Sequence, residues 1–195
     1  MLRIDQLRLL PDEPETVLLH KCARLLRVEP SVLTGLTVLR RAIDARESLT
    51  FVYTVIVSAP QETALLRRCR DKRVTAYAPE QYALPASVDA PAVRPIVVGA
   101  GPAGLFAALV LAKCGARPIL LERGQCVEQR QRDVQRFWAT GELDTESNVQ
   151  FGEGGAGAFS DGKLNTGTRD VRHRFIMEQL VSCGAPADIL TDALP

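Results

Sequence analysis

The chain has 195 residues, of which 46% are hydrophobic and 24% charged, and its formal net charge is +1. At about 150 residues per domain this allows one or two globular domains, and the balance excludes a disordered chain or a globally basic nucleic-acid binder. The apolar runs fall short of the roughly 18 residues of a membrane span, no apolar signal core follows Met1, and the five cysteines include no C-x-x-C pair, so a cytoplasmic protein with reduced thiols is expected.

Leu2 and Ile4, then Leu7 and Leu9, bracket a short strand with a slip near Gln6. Pro14 opens a helical pattern in which Val17, Leu18, Cys22, Leu25 and Leu26 recur at three- and four-residue steps. Two β-rich runs follow, Leu36 to Ile43 and Leu49 to Val57, the second with clear alternation. Gln61 to Arg70 reads as a helix and Val74 to Tyr77 as a last strand. The order βαββαβ predicts a ferredoxin-like (split βαβ) module over residues 1–79. RNA-recognition motifs share that order, but Phe51 and Tyr53 lack the preceding Arg-Gly of a stacking strand. They are expected to pack in a core, with Arg67 to Arg73 solvating a helix end, and nucleic acid is not an expected partner.

Pro79, Pro85, Pro91 and Pro95 punctuate the next stretch, which predicts an extended linker over residues 80–94. Of the 14 glycines, only Gly35 precedes Gly99. Ile96 to Val98 suits a buried parallel strand and leads into Gly99-Ala100-Gly101-Pro102-Ala103-Gly104, then into an apolar helix ending at Gly115. In such a G-x-G-x-x-G turn the first glycine allows the tight turn, the second lets backbone approach a pyrophosphate, and the third lets helix pack on strand. Pro102 suits the first helical turn, whose N–H groups and positive dipole end would face phosphate. A second apolar strand ends at Glu122, 18 residues beyond Gly104, where a carboxylate would accept ribose hydroxyls and repel a 2′-phosphate. The residues thus predict a dinucleotide site for FAD or NAD rather than NADP.

Six glycines lie between Gly152 and Gly167, too many for a helix or strand interior. Together with Gly99 to Gly104 and Leu121-Glu122-Arg123-Gly124, the run from Asn148-Val149-Gln150-Phe151-Gly152-Glu153-Gly154-Gly155 to Asn165 resembles the uncharacterised bacterial FAD-dependent dehydrogenases of the glutathione-reductase-type flavoprotein superfamily. The resemblance covers nearly the whole chain. It implies FAD and hydride transfer through the flavin, with an unidentified small-molecule substrate and NAD(P)H as redox partners. It also implies a ferredoxin-like module followed by the N-terminal part of a Rossmann-type FAD-binding domain over residues 95–195. The glycine loop would lie along the cofactor, which makes Gly154, Gly155, Ser160 and Lys163 candidate contacts; Lys163 would either stabilise the reduced flavin or stand as a surface lysine. The resemblance implies that Arg123 and Arg130 reach adenosine or phosphate, but Arg130 reads rather as part of a solvated helix face.

Residues 157–164 imitate a phosphate-binding P-loop, but Leu164 stands where Ser or Thr would hold Mg²⁺. Val127 to Thr140 predicts a helix whose Val127, Val134, Phe137 and Trp138 form an apolar packing stripe, and Asp170 to Ser182 predicts another, capped by Asp170. Cys126 reads as a packed thiol, and no metal site is expected. Members of the resembling family need a further adenosine-side strand, a late Gly-Asp segment and a substrate domain, so the chain is expected to be an N-terminal portion with uncovered apolar faces that favour self-association. The alternative is an inactive interaction fragment whose first module binds a partner.

Overall fold

The computed structural model describes residues 1–160, 168 and 170–193. Along the chain run β1 (Leu2–Leu9), α1 (Val17–Leu26), β2 (Thr34–Asp44), β3 (Thr50–Ser58), α2 (Glu62–Arg68), β4 (Val74–Ala76), β5 (Ile96–Val98), α3 (Pro102–Lys113), β6 (Ile119–Leu121), α4 (Val127–Thr140), α5 (Arg172–Ser182) and β7 (Asp192–Ala193). The architecture is mixed α/β. The chain divides into two compact units, Met1–Tyr82 with Thr168–Pro195, and Ala83–Gly167. None of the helices among the described residues is long and apolar enough to cross a membrane.

In the first unit the sheet order is β4-β1-β3-β2-β7. The four strands from the N-terminal portion pair antiparallel, and β7 adds parallel to β2. The slip near Gln6 is a β-bulge: the β1–β3 register shifts between Ile4 and Leu7, and Gln6 takes φ 60°. That extra residue keeps Leu2, Ile4, Leu7 and Leu9 all on the buried face, where an unbroken strand would send the last two to the other side. They close over Leu18, Cys22, Ala23 and Leu26 of α1, Tyr53, Val55 and Val57 of β3, and Leu65 of α2. Tyr53 is buried and Phe51 packs at the edge of this core, ring to ring at 6.4 Å.

The helix expected from Pro14 begins only at Val17, because residues 11–16 form turns. α1 ends with Arg27 left-handed (φ 56°), and the Val28 N–H reaches the Ala23 carbonyl at 3.0 Å, a Schellman-type closure usually made with glycine. The segment from Thr168 onward, placed with the second half by chain order, makes its contacts within the first unit. The Arg41 guanidinium grips the Asp192 carboxylate beside the β2–β7 pair, and the Tyr82 ring packs tilted against Phe175 of α5 with centroids 5.1 Å apart.

The second unit is built on β5-α3-β6. Its two strands pair parallel, Ile96 with Ile119 through Val98 with Leu121. The Pro-rich segment before β5 has no regular secondary structure and is tied to the end of α3: the Val88 N–H donates to the Cys114 carbonyl at 2.8 Å. The sheet is thinly covered, with Val98 83% and Ile96 61% exposed, and no residue of α3 is buried.

Candidate functional site

Gly99 leaves β5 with φ +98°, a conformation a side chain rarely adopts, and the chain then turns directly into α3 at Pro102. A Cβ on Gly104 would overlap the Gly99 carbonyl oxygen and touch Val97, so the first turn of α3 sits against the strand exit only because position 104 is bare. Gly101 differs: a Cβ there would meet nothing within 4 Å, which leaves open space beside the helix start. Pro102 has no N–H, and the N–H groups of Ala103 and Gly104 lie in the first turn, where helix geometry supplies no acceptor.

Glu122, just past β6, turns its carboxylate back on this turn. Oε2 accepts the Ala100 N–H at 2.6 Å and Oε1 accepts the Gly124 N–H at 2.9 Å. These backbone bonds, with a smaller contribution from the Arg130 charge, hold its carboxyl below the usual glutamate range. The Gly99 N–H donates to the Leu121 carbonyl at 2.7 Å, so strand end, acid and glycine turn form one closed unit.

The second glycine segment docks on the first. The Gly154 N–H donates to the Ala100 carbonyl at 2.8 Å, and a Cβ on Gly155 would come within 3.1 Å of Pro102 Cδ and 3.3 Å of Gly101 Cα. Glu153 accepts the Val127 N–H at 2.8 Å and thereby caps the start of α4. Gly152, Gly154 and Gly155 all have positive φ, so this segment follows a path open chiefly to glycine.

Arg130 holds the loop from beneath. It is fully buried, which overturns its reading as part of a solvated helix face. Nε and Nη2 donate to the Asn148 carbonyl, Nη2 also to Val149, both Nη groups to Gly155 at 3.0 Å, and Nη1 to Glu153. The guanidinium also lies 4.8 Å from the centroid of the Phe159 ring. Burial pulls its pKa down, while the charges of Glu122 and Glu153 work in the opposite direction. A Cβ on Gly152 would collide with the Arg130 side chain, so the loop glycine and the arginine need each other.

Further ties fix the approach to this loop. Asp133 accepts from Ser147 Oγ at 2.7 Å and from Gln129 at 3.0 Å, and the Ser147 bond leads in lowering its pKa. Asn148 Oδ1 accepts the N–H groups of Gln150 and Phe151. The part played by Asp133, Ser147 and Asn148 was not foreseen; the signal available was a short polar residue ahead of a glycine run, the usual seed of side-chain-held turns.

Of the remaining expected contacts, Arg123 and Ser160 are both exposed. Arg123 is exposed, paired with Glu146 at 2.8 Å and resting on the Phe151 ring at 5.4 Å. Ser160 lies at the exposed end of the 3₁₀ turn Ala156–Phe159. Lys163 lies outside the described residues, as does the second half of the P-loop-like stretch, residues 161–164. Cys126 is exposed rather than packed, because it occupies the position before α4. Of the α4 stripe only Val134 is fully buried, while Trp138 is 66% exposed.

Residues 94–170 match the family model of the FAD binding domain, and residues 1–58 match a domain of unknown function (DUF8436). The first match covers the glycine turn, Glu122, α4 and the second loop, and it supports an FAD-binding, oxidoreductase-type function. The chain is also 42% identical over 191 residues to an uncharacterized protein of Clostridium beijerinckii. That alignment takes in 96% of this chain and 36% of the relative, so the chain spans about a third of that protein's length.

Proposed function

We propose that the second unit is the FAD-binding portion of an FAD-dependent dehydrogenase, in which the Gly99–Gly104 turn receives the pyrophosphate. The observation that carries this reading is the pairing of open space at Gly101 with the first-turn N–H groups of Ala103 and Gly104, which have no partner among the described residues. The residues present fit the cofactor. Each Glu122 oxygen accepts one backbone N–H and keeps a lone pair for a ribose hydroxyl. Gly154 and Gly155 bring bare backbone beside the same turn, and Arg130 fixes them there.

When bound, FAD supplies the hydride chemistry at its isoalloxazine ring. The chain's own groups bind and orient: amides hold phosphate charge, Glu122 selects a free 2′-hydroxyl, and Arg130 keeps the glycine loop closed. Arg123, Ser160 and Lys163 are proposed as outer contacts from the resemblance alone. The substrate is proposed to be a small molecule. For the first unit we infer a ferredoxin-like module, supported by the antiparallel order β4-β1-β3-β2 and by a core shared with both α1 and α2.

The test is visible flavin absorbance retained by the purified chain after incubation with FAD and desalting. Retention that is lost in Gly101→Val supports the reading. A chain that stays folded yet takes up no flavin overturns it for these 195 residues.

A further inference from the structure

A basic cleft of about 970 Å³ lies in the first unit, far in function from the dinucleotide reading. Its walls come from the bulge in β1, the C-terminal half of α1 and the segment between α2 and β4. Leu7 and Leu26 form a buried apolar floor, and the rim carries seven cationic side chains. Three of these are already engaged: Lys21 with Glu13 at 3.1 Å, Arg8 with Asp44 at 2.8 Å, and Arg73 with Asp71 at 2.7 Å.

The other four are not matched by carboxylates among the described residues. Arg68 donates to the backbone carbonyls of Leu26 and Arg27 at the end of α1, each at 3.3 Å. Arg24, Arg27 and Arg70 are exposed and make no ion pair there. Most other arginines of this unit do: Arg3, Arg41, Arg46, Arg172 and Arg174 each face an acid within 4 Å. The C-terminal dipole ends of α1 and α2 offset only about half a charge each. Roughly three positive charges therefore stay concentrated on this rim, in a chain whose net charge is +1. Arg27 adds to this at a left-handed helix end where glycine would serve the backbone better.

We propose that this cleft binds a small polyphosphate-bearing ligand, with Arg24, Arg27, Arg68 and Arg70 gripping its phosphate oxygens over the apolar floor. Guanidinium forks suit phosphate through paired N–H donors, and the volume matches that of small-molecule sites. Single-stranded nucleic acid fits less well, because among the described residues no aromatic ring lines the cleft to stack a base.

The experiment is isothermal titration of the full chain with sodium tripolyphosphate at low ionic strength. The expected result is one ion bound per chain, with affinity falling as salt rises. Arg24→Gln/Arg70→Gln should weaken binding by about 100-fold, near tenfold for each guanidinium lost. Arg24→Lys/Arg70→Lys should recover part of that loss while circular dichroism stays unchanged. Undetectable binding, or equal binding by the glutamine variant, overturns the proposal. A single-stranded RNA oligomer that displaces tripolyphosphate and binds more tightly also overturns it, by making the cleft a nucleic-acid surface. Flavin uptake is read separately and does not enter this result.

Discussion

Gly104 and Gly99 are in such close contact that a single methyl group on Gly104 would occupy the space of the Gly99 carbonyl oxygen. Gly101, between them, has free space where a side chain would stand and an extended backbone that any residue can adopt. The two positions should therefore separate folding from binding. Gly104→Ala is expected to cost about 1–3 kcal/mol of stability in urea unfolding, as overpacking does. Gly101→Ala should stay within about 0.5 kcal/mol of the parent and still reduce flavin retention. Equal stability losses would show that the glycine turn is not packed as described.

Arg130 should be the least replaceable side chain of the second unit. Arg130→Ala leaves the carbonyls of Asn148, Val149, Glu153 and Gly155 without their donor. A loss of about 3 kcal/mol is expected, with protease cleavage appearing within residues 148–155. Arg130→Lys should recover little, since one ammonium cannot span four carbonyls. A lysine variant as protease-resistant as the parent would refute this role.

Acid should loosen the glycine turn through Glu122. Its carboxyl is held below the ordinary value by the Ala100 and Gly124 N–H groups. The stabilisation is fully present above the unfolded-state pKa of about 4.3, and it is lost as pH falls through the lower folded-state value. Glu122→Gln should be less stable than the parent near neutrality, and the gap should narrow below about pH 4. Thermal unfolding of both proteins across pH reads that difference directly, and a constant gap would contradict it.

The cysteines should differ sharply in reactivity. Cys22 is buried in the first core, and desolvation pushes its thiol up to about 12. Cys126 and Cys183 are exposed. Brief alkylation of the native chain, read by mass spectrometry, should label Cys126 and Cys183 and leave Cys22 unmodified until denaturant is added. Early labelling of Cys22 would mean that the first core opens readily.

The features most readable from sequence were those in which local chemistry and geometry coincide. The spacing of Leu2, Ile4, Leu7 and Leu9 betrays the bulge at Gln6, because a buried face tolerates no other way to skip one residue. Gly99, Gly101 and Gly104 announce a strand-to-helix turn because each acts through its own missing side chain. The grip of Arg130 on residues 148–155 was illegible, since backbone carbonyls carry no sequence signature. β7 escaped for a related reason: two residues are too few to show alternation, and the Arg41–Asp192 pair spans 151 positions. Trp138 misleads by type, as hydrophobicity predicts burial only when a neighbour covers the helix face.

The strand pairing of Asp192 and Ala193 with β2 has a consequence for how the chain is born. The first unit is discontinuous, with residues 83–167 interposed between its two pieces. During synthesis β1 to β4 can pair early, but their fifth partner emerges only after the whole intervening unit has been translated. The outer edge of β2 thus waits longest for its neighbour, and it is the place where a nascent or destabilised chain would first offer bare backbone to another molecule.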